Sequence, residues 1–123
     1  MDCYVNDIEG LNILSFFLND AITNFYWFNL VQTGEQDILE ITFHRKCREN
    51  VSYKQNVKLV VMDFTNLQIY SNQRKILVLS AIYYKNNEIF FHFNDNKSYI
   101  SFTSISINMV CRSTSHKMKS SYY

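Results

Sequence analysis

Residues 75–102 read KILVLSAIYYKNNEIFFHFNDNKSYISF, three apolar runs separated by two Asn-containing turns. The turns fall at residues 85–87 and 94–97, and Asn and Asp tolerate the left-handed backbone conformations that tight turns require. Runs joined in this way pair as antiparallel neighbours. This segment therefore predicts a meander of antiparallel strands.

Earlier runs extend the predicted sheet. Residues 25–32 are rich in aromatic and β-branched side chains and predict a strand. Residues 39–47 alternate apolar and polar side chains, which is typical of a strand with one face in water. Residues 57–64, VKLVVMDF, are apolar on both parities and predict a central strand covered on both faces, with a short piece, LQIYS, after it.

The last part of the chain changes its pattern twice. In the last segment Ile100 and Phe102 are even-numbered, whereas Ile105, Ile107 and Met109 are odd-numbered. We therefore expect a bulge or break near residues 103–104. After Cys111 the sequence is polar and basic. We therefore predict a single domain over residues 1–111 and a frayed basic tail over residues 112–123.

A helix is predicted near the N-terminus, over about residues 7–24. Apolar residues recur there at spacings of three and four, and Asn6 with Glu9 resembles an N-cap with its capping-box partner. Phe16 and Phe17 widen the apolar stripe, so we expect the helix to lie flat against the sheet.

The predicted fold class is α+β, with one N-terminal helix packed on an antiparallel sheet of about six strands. The predicted core residues are Leu14, Leu18, Ile22, Ile41, Phe43, Leu59, Val61, Leu79, Ile89, Phe91 and Phe102.

Length and composition exclude several classes of protein. A chain of 123 residues that is 47% hydrophobic can build a core without metals or disulfides. No apolar run approaches the roughly 20 residues that span a bilayer, and the first ten residues carry acids where a secretory signal carries bases. We expect a cytoplasmic protein that contacts no membrane, with Cys3, Cys47 and Cys111 as reduced thiols.

The acidic residues are concentrated in the first third of the chain. Residues 1–44 hold seven Asp and Glu and no Lys or Arg, whereas residues 45–123 hold all 12 bases and four acids, although the whole chain carries only +1. The opposite charges either pair across the folded surface or leave an acidic patch that attracts a basic protein.

Catalytic, metal and cofactor sites are not indicated. His44 and Cys47, with Asp37, come nearest to a catalytic or metal-ligating set, but residues three apart on a strand point to opposite faces. The chain has two glycines, too few for a phosphate loop. We expect no catalytic residues, no metal and no cofactor.

Two other binding functions stay open. Arg45, Lys46 and Arg48 beside the aromatic run Phe90, Phe91 and Phe93 would suit single-stranded nucleic acid, although the parity of Phe91 and Phe93 favours a core position and we do not expect nucleic acid as the partner. A small-ligand or active site between helix and sheet would need a cavity lined by convergent polar groups.

The acidic helix, the long meander, and runs such as VKLVVMDFTNLQIY and EIFFHFNDNKSYISFTSISI resemble small immunity proteins of bacterial polymorphic-toxin and contact-dependent growth inhibition systems. The resemblance is one of pattern over residues 7–111. It implies a non-enzymatic cytoplasmic protein that binds and blocks one cognate toxin. Where the toxin is a nuclease, its active site is typically basic, and an acidic surface would complement it.

The expected partner is therefore a basic toxin protein. The acids predicted to bind it are Asp20, Glu35, Asp37 and Glu40. In the aromatic run of residues 25–28, two of four side chains face away from the helix-covered side. Core packing on both faces is the favoured interpretation, and an exposed Tyr26 or Trp27 is the expected interface anchor beside these acids.

Overall fold

The computed structural model of the chain describes residues 2–24, 27–32, 34–46, 53–71 and 76–117. Its elements in chain order are β1 (Asp2–Val5), α1 (Ile8–Phe17), β2 (Ile22–Thr23), β3 (Phe28–Gln32), β4 (Asp37–Lys46), β5 (Tyr53–Val61), β6 (Thr65–Tyr70), β7 (Leu77–Lys85), β8 (Glu88–Phe93), β9 (Tyr99–Thr103) and β10 (Met109–Lys117).

The fold is α+β, as predicted, but the expected sheet of about six strands was wrong. Ten strands form one antiparallel sheet in the order β1-β10-β5-β4-β2-β7-β8-β9-β6, and β3 pairs with β4 beside β2. The strands that the sequence missed include β1 and β2, which are four and two residues long. Strands this short carry too little periodicity to be recognised.

The meander predicted from residues 75–102 is confirmed as the run β7-β8-β9. Lys85 faces Glu88 across the first hairpin, and its two turn residues, Asn86 and Asn87, have positive φ angles of 53° and 61°. These are the angles of a type I′ turn, which Asn adopts readily. The sheet as a whole is not a meander, because β10 does not lie beside β9 but between β1 and β5.

The helix is shorter than predicted. It ends at Phe17, and Ile22, expected on its apolar stripe, lies in β2. Asp20 has φ 67°, and its amide donates a hydrogen bond to the carbonyl of Leu79 on β7. The chain therefore leaves the helix because a pairing partner distant in sequence takes over its backbone groups.

The N-cap is Asp7 and not Asn6. The Asp7 side chain accepts a 2.7 Å hydrogen bond from the amide of Gly10, and its backbone is extended. This carboxylate also lies at the positive end of the helix dipole, where a negative charge is favourable.

The helix packs along β7. Leu11, Leu14 and Leu18 are buried, whereas Phe16, expected to widen the apolar stripe, is 73% exposed. The hydroxyl of Ser15 accepts a 2.8 Å hydrogen bond from the amide of Ile82. The helix thus supplies a hydrogen-bond acceptor to the backbone of β7.

The sheet curls so that its two halves enclose one core. Phe43 on β4 and Phe91 on β8 stack with ring centroids 6.5 Å apart, although β2 and β7 lie between their strands. Three strand spacings in a flat sheet would separate them by about 14 Å. Ten of the eleven predicted core residues are buried; Ile22 is half-buried.

The end of the chain differs in part from the predicted pattern. The expected break is confirmed, because β9 ends at Thr103 and β10 begins at Met109. However, β10 continues to Lys117 and pairs with β5 down to Tyr53, so residues 112–117 of the expected tail form a strand. Residues 118–123 lie outside the described residues.

Candidate functional site

An acidic groove lies where the β3–β4 turn meets the turn after β5. Gly34 in the first turn has φ 84°, a left-handed conformation that glycine adopts without strain. The described residues that line this acidic groove are Gln32, Gly34, Glu35, Gln36, Asp37, Asp63, Phe64 and Thr65.

Asp63 joins the two turns. Its backbone has φ 56°, and its carboxylate accepts hydrogen bonds from the side-chain amides of Gln36 at 3.2 Å and of Asn108 at 2.6 Å. Two segments distant in sequence are therefore held on one carboxylate. Sequence reasoning missed Asp63 because it lies outside the acidic first third of the chain.

The acidic groove has an uncompensated negative charge. Glu35, Asp37 and Asp63 line it, and none of the lining residues that the structure describes is Lys or Arg. Among the described residues, none of these three carboxylates forms an ion pair. Three unpaired carboxylates on one concave surface create a local field that attracts basic partners.

Other early acids have partners elsewhere. Asp2 lies 3.4 Å from the guanidinium of Arg112, and Glu40 lies 3.9 Å from the ammonium of Lys58. Such partly exposed pairs contribute about 0–1 kcal/mol each to stability. The early acids therefore do not share one surface: two of the seven line the acidic groove and two others lie in separate ion pairs.

The remaining predicted site residues are dispersed. Asp20 lies in the turn after α1 and does not line the acidic groove. Glu40 also accepts a hydrogen bond from Asn29 on β3. Trp27 is half-buried, with its ring 4.3 Å edge-on from that of His44. Tyr26 lies outside the described residues.

Apolar side chains are exposed beside the acidic groove. Leu30 and Val31 on β3 are 45% and 36% exposed, and Val31 faces Ile38 on β4. Among the described strands, β3 pairs with β4 alone. Because successive side chains on a strand alternate, Leu30 and Val31 point to opposite faces of β3, and each face offers one exposed apolar side chain to a partner.

A second concave surface, the aromatic groove, lies on the outer face of β6, β7, β8 and β9. We define it by Gln68, Tyr83, Glu88, Phe90, His92 and Tyr99. Tyr83 is its centre, stacked on Phe90 at 5.2 Å and on His92 at 5.1 Å, and its hydroxyl lies 2.6 Å from His92 Nε2.

The aromatic groove follows from side-chain alternation along β8. Phe91 and Phe93 are buried, as their parity predicted, so Phe90 and His92 must face outward. The charged residues that line the groove in the described chain are Glu88 and Lys97. Their charges cancel, so the groove does not have the cationic character that nucleic acid requires.

The basic group proposed for nucleic-acid binding is not a continuous surface. Arg45 is buried, its guanidinium lies 4.2 Å from the ring centroid of Phe17, and it donates a hydrogen bond to Gln55. Lys46 is exposed, and Arg48 lies outside the described residues. Arg45 therefore acts in the core and not on the surface.

The described candidates for catalysis, Asp37 and His44, are not brought together. Asp37 and His44 lie towards opposite ends of β4, and Cys47 lies outside the described residues. In the described part of the chain, no group of three His, Cys, Asp or Glu side chains is arranged to hold a metal ion.

Searches of family models, curated proteins and solved structures find no match to this chain. Within the described ranges, no helix has the length and apolar character needed to cross a membrane.

Proposed function

We propose that this chain is a non-enzymatic immunity protein that binds a cognate basic toxin domain and blocks it, with the acidic groove as the docking surface. The observation that carries the proposal is that three carboxylates share one concave surface on which no base is found among the described lining residues. Long-range attraction by such a surface raises the association rate of a basic partner.

The contact would have an apolar and an acidic part. Leu30 and Val31, on opposite faces of β3, each supply exposed apolar area, and Glu35 and Asp37 supply exposed charge a few residues away along the chain. Apolar residues at the centre of an interface provide most of its binding energy, whereas charges at the rim set rate and partner choice. The sequence resemblance to toxin-immunity proteins supports the same assignment.

The functional test is bacterial growth. The toxin candidate is the C-terminal domain of a large secreted protein encoded beside this chain's gene, expressed together with the wild-type chain or a variant. We expect the wild-type chain to restore growth and the E35K/D37K variant to fail, because the groove then repels a basic domain.

The matched control is E9K/E88K, which changes the net charge equally at two exposed acids outside the acidic groove. This variant should protect as well as the wild-type chain. Absence of such a neighbouring gene, or a wild-type chain that gives no protection, contradicts the proposal.

A second function, binding of a small neutral ligand, is favoured by the aromatic groove. Tyr83, Phe90 and His92 offer stacked rings, and Gln68 and Ser101 line the same groove with polar groups. Stacking surfaces with a few convergent polar groups are typical of ligand sites. The cancelling charges of Glu88 and Lys97 favour a neutral ring-bearing molecule, such as a saccharide or nucleoside, over a polyanion.

The test for this second function is an NMR titration of the isotope-labelled chain with maltotriose and with adenosine. Shifts at residues 83, 90 and 92 that saturate, and that disappear in Tyr83→Ala, would support it. The control variant Tyr70→Ala removes a ring that stacks on Tyr99 on the same sheet face and should leave the titration unchanged. Unchanged spectra with both probes contradict a ligand of either class.

A further inference from the structure

Two cysteines that are far apart in sequence meet on adjacent strands. Cys3 on β1 and Cys111 on β10 are directly opposite partners in an antiparallel pair. Both side chains therefore lie on the same face of the sheet. Directly opposite Cα atoms in such a pair are about 4.5–5.5 Å apart, which lies within the range of about 4.4–6.8 Å that a disulfide bridges.

We infer that Cys3 and Cys111 are a redox modification site that closes to a disulfide when the protein meets a disulfide oxidant such as oxidised glutathione. Both cysteines are free thiols here, and neither has to change strand or register to reach the other.

The two thiols differ in a way that sets the order of the reaction. Cys3 is exposed and open to an oxidant, whereas Cys111 is buried. Burial, with Cys3 and Asp2 nearby, raises the pKa of the Cys111 thiol to about 11. Cys111 is therefore a poor first nucleophile near neutral pH, and Cys3 is the thiol that attacks.

The thiol–disulfide exchange with oxidised glutathione takes two steps. The Cys3 thiolate attacks one sulfur of oxidised glutathione, which forms a mixed disulfide and releases one glutathione thiolate. Cys111 then loses its proton to solvent, and its sulfur attacks the Cys3 sulfur and expels the second glutathione. The two protein thiols are oxidised, one glutathione disulfide is reduced to two glutathiones, and the two released thiolates take up the two protons.

The Cys3–Cys111 disulfide would link the edge strand β1 covalently to β10. Among the described strands β1 pairs with β10 alone, over four residues, and two residues separate it from α1. Joining residues 3 and 111 closes a loop that spans almost the whole chain, and long loops give the largest reduction of entropy in the unfolded state. We expect the oxidised protein to melt about 10 °C higher than the reduced protein.

The experiment uses the full chain with Cys47→Ser, which removes the third cysteine, and Cys3→Ser/Cys47→Ser as its matched control. Each protein is incubated with oxidised glutathione, denatured, alkylated with N-ethylmaleimide and analysed by mass spectrometry with peptide mapping. We expect the first protein to take up no reagent and to yield one peptide pair linked through Cys3 and Cys111, with a raised melting temperature. The control should form no such link.

Two results would overturn the inference. The first is a Cys3 that stays glutathionylated while Cys111 remains a thiol, because the second sulfur then does not reach the first. The second is a linked chain whose melting temperature is unchanged or lower. Such a result would mean that the disulfide strains the β1–β10 pair, so the native positions of Cys3 and Cys111 do not suit the bond.

Discussion

The side chain of Gln36 donates a hydrogen bond to the carboxylate of Asp63, across 27 positions of sequence. This bond, with that from Asn108, holds the β3–β4 turn against the turn after β5 and brings Asp63 into the same groove as Glu35 and Asp37. The proposed docking surface is therefore built from two turns and not from the acidic first third of the chain alone.

Asp63→Ala should destabilise the fold. It removes two hydrogen bonds to a charged acceptor and places alanine at φ 56°, so we expect a loss of about 2 kcal/mol in the free energy of unfolding. Asp63→Asn tolerates the left-handed backbone and keeps one acceptor, so it should lose about half as much. Urea denaturation measures both, and equal losses for the two variants would contradict the assigned role of the turn geometry.

The identity of the N-cap can be tested by substituting two neighbouring residues, Asn6 and Asp7. Asp7→Ala should lower the free energy of unfolding by about 1 kcal/mol, because Gly10 loses its acceptor and the helix dipole loses its nearby charge. Asn6→Ala should change it by less than about 0.3 kcal/mol. A larger effect at Asn6 than at Asp7 would show that the sequence-based choice of cap was the correct one.

Arg45 and Phe17 should be energetically coupled. Arg45→Met keeps the apolar stem but removes the guanidinium from the ring and from Gln55, so we expect a loss of about 1–2 kcal/mol. In a double-mutant cycle with Phe17→Leu, the coupling energy should be about 0.5–1 kcal/mol. Additive losses in denaturation experiments would mean that the cation lies away from the ring in solution.

The stability of the reduced protein should fall as the pH rises from about 9 to about 11. Burial raises the pKa of Cys111 from its ordinary value of 9.0 to about 11, so the folded state keeps a proton that the unfolded state releases. The unfolded state then binds fewer protons in this window, and the free energy of unfolding decreases with pH.

The comparison that isolates Cys111 is Cys3→Ser against Cys3→Ser/Cys111→Ala, both in reductant. Tyr and Lys titrate equally in the two proteins, so the difference in their slopes reports Cys111. We expect the first protein to lose stability on the order of 1 kcal/mol more across the window. Parallel curves would show that Cys111 is as solvated as an ordinary thiol.

The sequence was sufficient for the parts of the fold that local patterns determine. The β7–β8–β9 run was predicted because its turns contain Asn86 and Asn87 and each strand alternates locally. The end of α1 was not predicted, because the apolar spacing continues to Ile22 while Asp20 hydrogen bonds with Leu79, 59 positions later. Local periodicity contains no information on such a partner.

The candidate site was predicted only in part for the same reason. Glu35 and Asp37 were selected by their place in a charge-polarised sequence, and the structure puts them in one groove. Asp63 joins them through tertiary contacts that no spacing encodes. Part of the aromatic groove could be predicted from the sequence, since the burial of Phe91 and Phe93 requires Phe90 and His92 to face outward. The stacking of Tyr83 on these two rings could not, because it depends on the register of the β7–β8 hairpin.

The most direct measurement of the central proposal is the association rate of the chain with the basic toxin domain, taken by stopped flow at about 50 mM and about 500 mM salt. We predict a wild-type rate that falls steeply with salt, and an E35K/D37K rate at least about tenfold lower at low salt with little salt dependence, while E9K/E88K stays within about threefold of wild type. Equal rates for the two double variants would contradict docking at the acidic groove.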